Sequence, residues 1–247
     1  MSGHSKWASI KHKKGAKDAK RGKLFSKLVK EITVSARDGG GDQDNNSRLR
    51  SVVQTARDAN MPADNIDRAI KKGTGDLPGV NYEESVYEGY GPGGVAILVR
   101  VLTDNRNRST AEIRHIFDKR GGSLAGPGAV AYLFQKKGFI SIAAEGLEEE
   151  TLFALALEAG AEDFQAEGDT FEIYTDPSNF EEVKKAIEET GITIAVGEVT
   201  EIPTNEVPVT GGDASNVLGL LNDLEEHDDV QNVYSNCDIP EELLEEL

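Results

Sequence analysis

Residues 213–226, DASNVLGLLNDLEE, read as one helix, and residues 230–236, VQNVYSN, read as one strand. One helix and one strand cannot bury an apolar face between them, so this pair has to complete a layer begun elsewhere in the chain. The stretch 82–134 offers that layer. Ser85–Tyr90 and Val95–Thr103 are strand-like, rich in Val, Ile and Tyr, with Gly91-Pro92-Gly93-Gly94 between them as a hairpin-type turn. Asn105–Arg120 reads as a helix with Ile113, Ile116 and Phe117 on its apolar side, closed by Gly121-Gly122, and Ala129–Phe134 reads as a third strand. With the tail added, these segments make a sheet carrying two helices.

Between the two halves lies a repeated order. It runs strand Phe139–Ala143, helix Leu147–Ala159, strand Glu162–Phe164, strand Thr170–Thr175, helix Asn179–Thr190, strand Ile194–Ile202. That βαββαβ order is ferredoxin-like. The layering favours insertion of this unit into the middle domain over two consecutive domains followed by a stray tail. The expected fold class is therefore α+β: an N-terminal three-helix domain, then two α/β (ferredoxin-like) domains, the third inserted in the second. The boundaries are 1–78 for the helical domain, 79–135 plus 206–247 for the discontinuous middle domain, and 136–205 for the insert.

The helical domain follows from periodicity. Residues 2–14 are expected to be extended or loosely ordered. From Ala16 to Arg37, Leu24, Phe25, Leu28, Ile32 and Ala36 fall on one side of a helix, and Lys20, Lys23, Lys27 and Lys30 on the other. Gly39-Gly40-Gly41 ends it. A second helix fits Ser47–Ala59, with Leu49, Val52, Val53 and Ala56 inward. A third fits Ala63–Lys72 behind Pro62, with Ile66, Ala69 and Ile70 inward and Gly73 as its stop. Asp76–Asn81 reads as a linker.

Charge divides the chain at the same place. Residues 1–72 hold 17 Lys+Arg against 8 Asp+Glu, whereas 73–247 hold 10 against 36, within a net formal charge of −17. A basic head on an acidic body points to a head that meets a polyanion and a body that is held away from it. Lys6, Lys11, Lys13, Lys14, Lys17, Lys20, Arg21, Lys23, Lys27 and Lys30 are the candidate phosphate contacts, which give affinity by counterion release and little sequence choice. Trp7 either stacks on a base or anchors the leader onto the helices. Arg106 and Arg108, with Arg114, Lys119 and Arg120 near them, form a second basic cluster on the middle domain. The acidic faces are suited to basic proteins, ribosomal proteins among them.

Little in the chain points to catalysis. Gly89-Tyr90-Gly91-Pro92-Gly93-Gly94 matches G-x-G-x-x-G, but a strand rather than a helix follows it, and Pro92 removes a donor from any phosphate cradle. It reads as a tight turn requiring positive φ, or as a functional loop whose exposed backbone fits closely against RNA or a ribosomal surface. His4, His12, His115 and His227 show no metal-ligand spacing, and the single cysteine, Cys237, excludes a disulfide or a multi-thiolate site within the chain. No nucleophile motif is present. The expectation is a cytoplasmic, monomeric, non-enzymatic protein with no metal, no cofactor and no membrane partner, and with DNA or ribosomal RNA as its nucleic acid. An enzyme or small-ligand protein is the remote alternative.

Long stretches of the chain resemble the YebC/PmpR family. They are Gly3-His4-Ser5-Lys6-Trp7 with Ile10-Lys11-His12-Lys13-Lys14, Arg21-Gly22-Lys23-Leu24-Phe25-Ser26-Lys27-Leu28, and Asn60-Met61-Pro62 through Ile70-Lys71-Lys72-Gly73. The resemblance continues in Tyr87-Glu88-Gly89-Tyr90-Gly91-Pro92-Gly93-Gly94-Val95, in Leu102-Thr103-Asp104-Asn105-Arg106-Asn107-Arg108 and in Gly121-Gly122. Pro127-Gly128-Ala129-Val130 departs from the Gly-Ser-Val more usual in the family, which leaves no hydroxyl there. The resemblance implies three domains with the third inserted in the second. It also implies a cytoplasmic protein of a family described both as probable transcriptional regulators binding DNA and as ribosome-associated factors that relieve stalling, notably at proline runs.

Overall fold

The computed structural model describes residues 18–239, with only the backbone described at Asp18–Lys20 and at Glu167. The architecture is α+β, with helices first and sheets after. Three helices open the described chain: α1 (Asp18–Gly39), α2 (Ser47–Asp58) and α3 (Ala63–Thr74). Leu28, Ile32 and Ala36 of α1 close on Leu49, Val53 and Ala56 of α2 and on Met61, Ile66 and Ala69 in and before α3. This is the expected stripe, with one correction: Leu24 is 43% exposed, because the core begins a turn later at Leu28.

Asn46 fastens the first corner. Its side-chain oxygen accepts from the Leu49 N–H at 3.0 Å and caps α2, while its amide donates to the Ser35 and Gly40 carbonyls at 2.8 Å each. Gly73 is not the stop of α3. The helix runs on to Thr74, and Gly75, at φ 85°, ends it in the left-handed region. Gly73 is small because a Cβ there would stand 2.3 Å from the Thr33 carbonyl oxygen and 2.7 Å from the Ala36 Cβ. It sets the close approach of α3 to α1.

The middle sheet is ordered β3-β1-β2-β9, formed by Ser123–Ala125, Glu83–Tyr90, Ala96–Thr103 and Val230–Ser235. β1 and β2 pair antiparallel from Glu83↔Thr103 to Tyr90↔Ala96. Helices α4 (Arg106–Lys119) and α7 (Gly211–Glu225) bury Ile113, Phe117, Val217, Leu220, Leu221 and Leu224. The expected strand at Ala129–Phe134 does not form. Residues 131–133 make a single 3₁₀ turn, and Phe134 begins the longer strand β4 (Phe134–Ala143). The third strand of the middle sheet is Ser123–Ala125 instead, paired to β1 from Glu88↔Ala125 to Tyr90↔Ser123.

The inserted sheet is ordered β5-β6-β4-β7, with β5 at Asp163–Glu167, β6 at Thr170–Thr175 and β7 at Ile194–Pro203. That is the ferredoxin-like order, antiparallel throughout. Helices α5 (Glu149–Glu158) and α6 (Phe180–Glu189) cover one face, over Ile140, Ile142, Phe171 and Ile173. A short parallel ladder joins β8 (Val207–Pro208) to β10 (Cys237–Asp238). Two compact units result: the described chain to Ala129 with Gly211–Val233, and Val130–Thr210 with the described chain from Tyr234.

Candidate nucleic-acid interface

The lysine face of α1 forms as the periodicity requires, opposite Leu28, Ile32 and Ala36, and it is engaged within its own unit. Lys23 Nζ donates to the Glu226 carbonyl at 3.0 Å and pairs with Glu226 Oε2 at 2.7 Å. Lys27 Nζ donates to the Glu225 carbonyl at 2.6 Å. Lys30 Nζ donates to the Asp228 carbonyl at 3.0 Å and to Asp229 Oδ1 at 2.6 Å. The C-terminal end of a helix carries unsatisfied carbonyls and the negative pole of its dipole. α7 has no basic residue of its own in its last turn, and the α1 lysines supply the cations there.

Asp229 is the centre of this contact. Its side chain is 5% exposed. It accepts from Lys30, from Arg108 Nη2 at 2.8 Å, from Ser109 Oγ at 2.8 Å and from Thr103 Oγ1 at 3.1 Å. Burial alone would raise its pKa. The hydrogen bonds from Lys30, Arg108 and Ser109 outweigh that and hold the carboxyl well below the usual carboxylate range. α1, β2, α4 and the α7–β9 turn meet at this one carboxylate.

The second basic cluster divides. Arg108 pairs with Asp229 and, at 2.9 Å, with Asp104. Arg120 holds Asp223 through two nitrogens, at 2.8 and 3.0 Å, with Lys119 at 3.4 Å. Gly219 makes room for it, since a Cβ there would meet Arg120 Nη1 at 2.6 Å. Arg106 and Arg114 are exposed and form no ion pair with a described residue.

The remaining head cations sort in the same way. Arg48 bridges Glu31 and Glu84, and Arg37 holds Asn81 and the Tyr82 carbonyl. Arg21 lies over the Phe25 ring, 5.6 Å from its centre. Arg57, Arg68, Lys71 and Lys72 are exposed and unpaired among the described residues. Arg68, Lys71 and Lys72 stand at i, i+3 and i+4 on the α3 face opposite Ile66 and Ala69. These four are not among the candidates marked by the density of lysines in 6–30. The signal of three of them was present in the helical spacing of Arg68-x-x-Lys71-Lys72. Lys6, Trp7, Lys11, Lys13, Lys14 and Lys17 lie outside the described residues, and of Lys20 only the backbone is described.

Two glycines of the motif are explained by close packing and two by backbone conformation. A Cβ on Gly89, inside β1, would meet the Phe117 ring at 2.6 Å and the Ser123 carbonyl oxygen at 2.7 Å, and one on Gly91 would press on Ile97 and Leu220. Gly93 and Gly94 sit at φ 71° and 79° in the turn. Strand β2 follows, as the sequence requires.

Glu112, His227 and Asp229 bring their ligand atoms within 4.8 Å of one another. His227 and Asp229 are already engaged in hydrogen bonds. His227 Nδ1 accepts from the Asp229 N–H at 3.1 Å, its Nε2 meets Glu112 Oε2 at 2.9 Å, and Asp229 has four donors. The donor set suits a hydrogen-bonded corner, not a cation. Burial pushes the Cys237 thiol up to about 11, away from reactivity.

The model for the TACO1/YebC protein N-terminal domain matches residues 5–76, and the model for the TACO1/YebC second and third domain matches 82–237. The chain belongs to the TACO1/YebC family. A relative in Desulforapulum autotrophicum, named a probable transcriptional regulatory protein, is 58% identical over 247 residues and the full length of both chains. One of the same name in Dictyoglomus thermophilum is also 58% identical across the full length of both. The crystal structure of a conserved hypothetical protein from Aquifex aeolicus superposes with a TM-score of 0.80 at 50% identity, covering 90% of this chain and 92% of that one. No helix among the described residues of this TACO1/YebC chain is long and apolar enough to cross a membrane.

Proposed function

We propose that the protein is a non-enzymatic regulator of gene expression that binds nucleic acid through its basic N-terminal helical domain, with DNA as the first target. The observation that carries this reading is the set of cations Arg57, Arg68, Lys71 and Lys72 on the helical domain, exposed and unpaired among the described residues. In sequence they belong with the lysine-rich leader Lys6, Lys11, Lys13, Lys14, Lys17 and Lys20, with Trp7 as a stacking side chain. Such cations contact phosphates and set affinity without reading bases. The names of the relatives, probable transcriptional regulatory proteins, agree with the role. Arg106 extends the surface on the middle domain, and the Gly89–Gly94 loop is the candidate for positioning.

A second reading, binding ribosomal RNA within the ribosome, is favoured by one feature. α3 exposes Asp64 in its first turn and Asp67 at the start of its second. A recognition helix enters the major groove by its N-terminal residues, and carboxylates there repel the phosphates on either side. Contact limited to backbone phosphates suits folded RNA as well as duplex DNA.

Crosslinking in cells followed by sequencing of the recovered nucleic acid separates the targets. DNA binding by operator reading is abandoned if a candidate promoter duplex and random duplex compete equally at fixed salt. Sedimentation with ribosomes at moderate salt supports the second reading. Protein that stays at the top of the gradient rejects it.

A further inference from the structure

Helices α5 and α6 cover the same core but present different faces to solvent. α6 buries Phe180, Val183 and Ile187 and exposes Glu181, Glu182, Lys185, Glu188 and Glu189. α5, EETLFALALE, buries Leu152 and Ala156 but leaves Phe153 and Leu157 exposed at 43% and 44%. A surface helix ordinarily carries polar residues there. The two side chains are four apart and share one helical face.

Phe153 meets the Phe164 ring edge-on, with centroids 5.6 Å apart and planes at 83°, and Phe164 in turn lies 5.5 Å from Phe171 of the core. Phe164 belongs to β5, the outermost strand of its sheet, whose far side pairs with no strand among the described residues. An apolar ledge therefore runs from α5 to the sheet edge, and its floor is fixed by the core.

The surroundings select the occupant. Residues 138–183 contain no Lys or Arg and thirteen Asp or Glu. Glu149 and Glu150, both exposed, lie one turn before Phe153 on the same helical face, and Glu158 is exposed next to Leu157, while Glu162 is already paired with Lys137. Such a field repels nucleic acid and anionic lipid and attracts cations.

We propose that the Phe153–Leu157–Phe164 ledge docks a lysine- or arginine-rich segment of another protein that carries an aromatic or aliphatic anchor. The anchor dehydrates the ledge while the cations meet its carboxylate rim. The ledge is thus a protein-binding surface, separate in chemistry from the polyanion-binding helical domain.

The test titrates a fluorescein-labelled synthetic peptide, lysines flanking one Phe and one Leu, against the full chain at physiological ionic strength, read by anisotropy. Affinity falls about tenfold in Phe153→Ser and in Leu157→Ser. It falls again in Glu149→Lys/Glu150→Lys, which leaves every packed side chain in place, and duplex binding stays unchanged in the two serine variants. An all-lysine peptide that binds equally well, with no response to Phe153→Ser, reduces the site to bulk charge and overturns the proposal. It is overturned too if Phe153→Ser converts a dimer to a monomer in sedimentation, since the ledge then faces a second copy. Tighter peptide binding after removal of residues 2–17 also overturns it, because the chain's own basic leader is then the occupant.

Discussion

On α1, Lys23, Lys27 and Lys30 end on the carbonyls and carboxylates around the close of α7. On α3, Arg68, Lys71 and Lys72 end in solvent. Both sets are turned away from the same core, and both would be drawn alike on a helical wheel. The difference teaches that a run of cations in sequence does not measure what is free to meet a polyanion. On α1 the positive charge holds two parts of one unit together. On α3 nothing within the described chain competes for it.

The largest expected effect comes from breaking the α1 side at its centre. Asp229→Ala leaves Lys30 and Arg108 without their shared buried partner and should cost about 3–5 kcal/mol in urea unfolding. A loss below about 1 kcal/mol, the range of an exposed pair, would mean that the contact is only a surface pair. The same group sets the acid response. Its folded pKa is depressed, so its contribution is complete above the unfolded carboxylate value, near ~4, and drains away as pH falls further. The urea midpoint should hold between neutrality and about pH 5 and decline below about pH 4, and Asp229→Asn should make that decline shallower.

Gly73→Ala tests how closely α3 lies on α1. With the Thr33 carbonyl in the way, it should lose about 1–3 kcal/mol in thermal or urea unfolding. An unchanged midpoint would show that the helices separate freely.

The α3 side is tested through binding. Arg68→Gln/Lys71→Gln/Lys72→Gln should lower the slope of log K against log salt by about 2–3, with stability nearly unchanged. The smallest effect belongs to Lys23→Gln, whose pair with Glu226 is about half exposed on both sides. It should cost less than about 1 kcal/mol and leave nucleic-acid affinity in place. If Lys23→Gln weakens binding as much as the α3 triple variant does, the contrast between the two helices fails.

Much of the fold was legible because it is local. The stripe Leu28, Ile32, Ala36, the glycine stop after α1 and the βαββαβ order are each written within a turn or a strand. Leu24 misled because periodicity places a residue on a side without saying where the core begins. Gly73 misled because a glycine near a helix end resembles a stop, and only the α1 backbone explains it. Ala129–Phe134 is an apolar run too short for its period to separate a strand from a 3₁₀ turn. The pairing of the α1 lysines was illegible for a different reason. Their partners stand about two hundred residues away, at |i−j| of 198 to 203, and no window read along the chain joins them.

That separation has a consequence in time. Lys30 and Asp229 are 199 residues apart, and at ordinary synthesis rates the second follows the first by about 10–40 s. For that interval α1 has emerged while the turn that neutralises it does not yet exist. A nascent chain displays a more cationic helix than the finished protein does, and release from synthesis is the event that covers it.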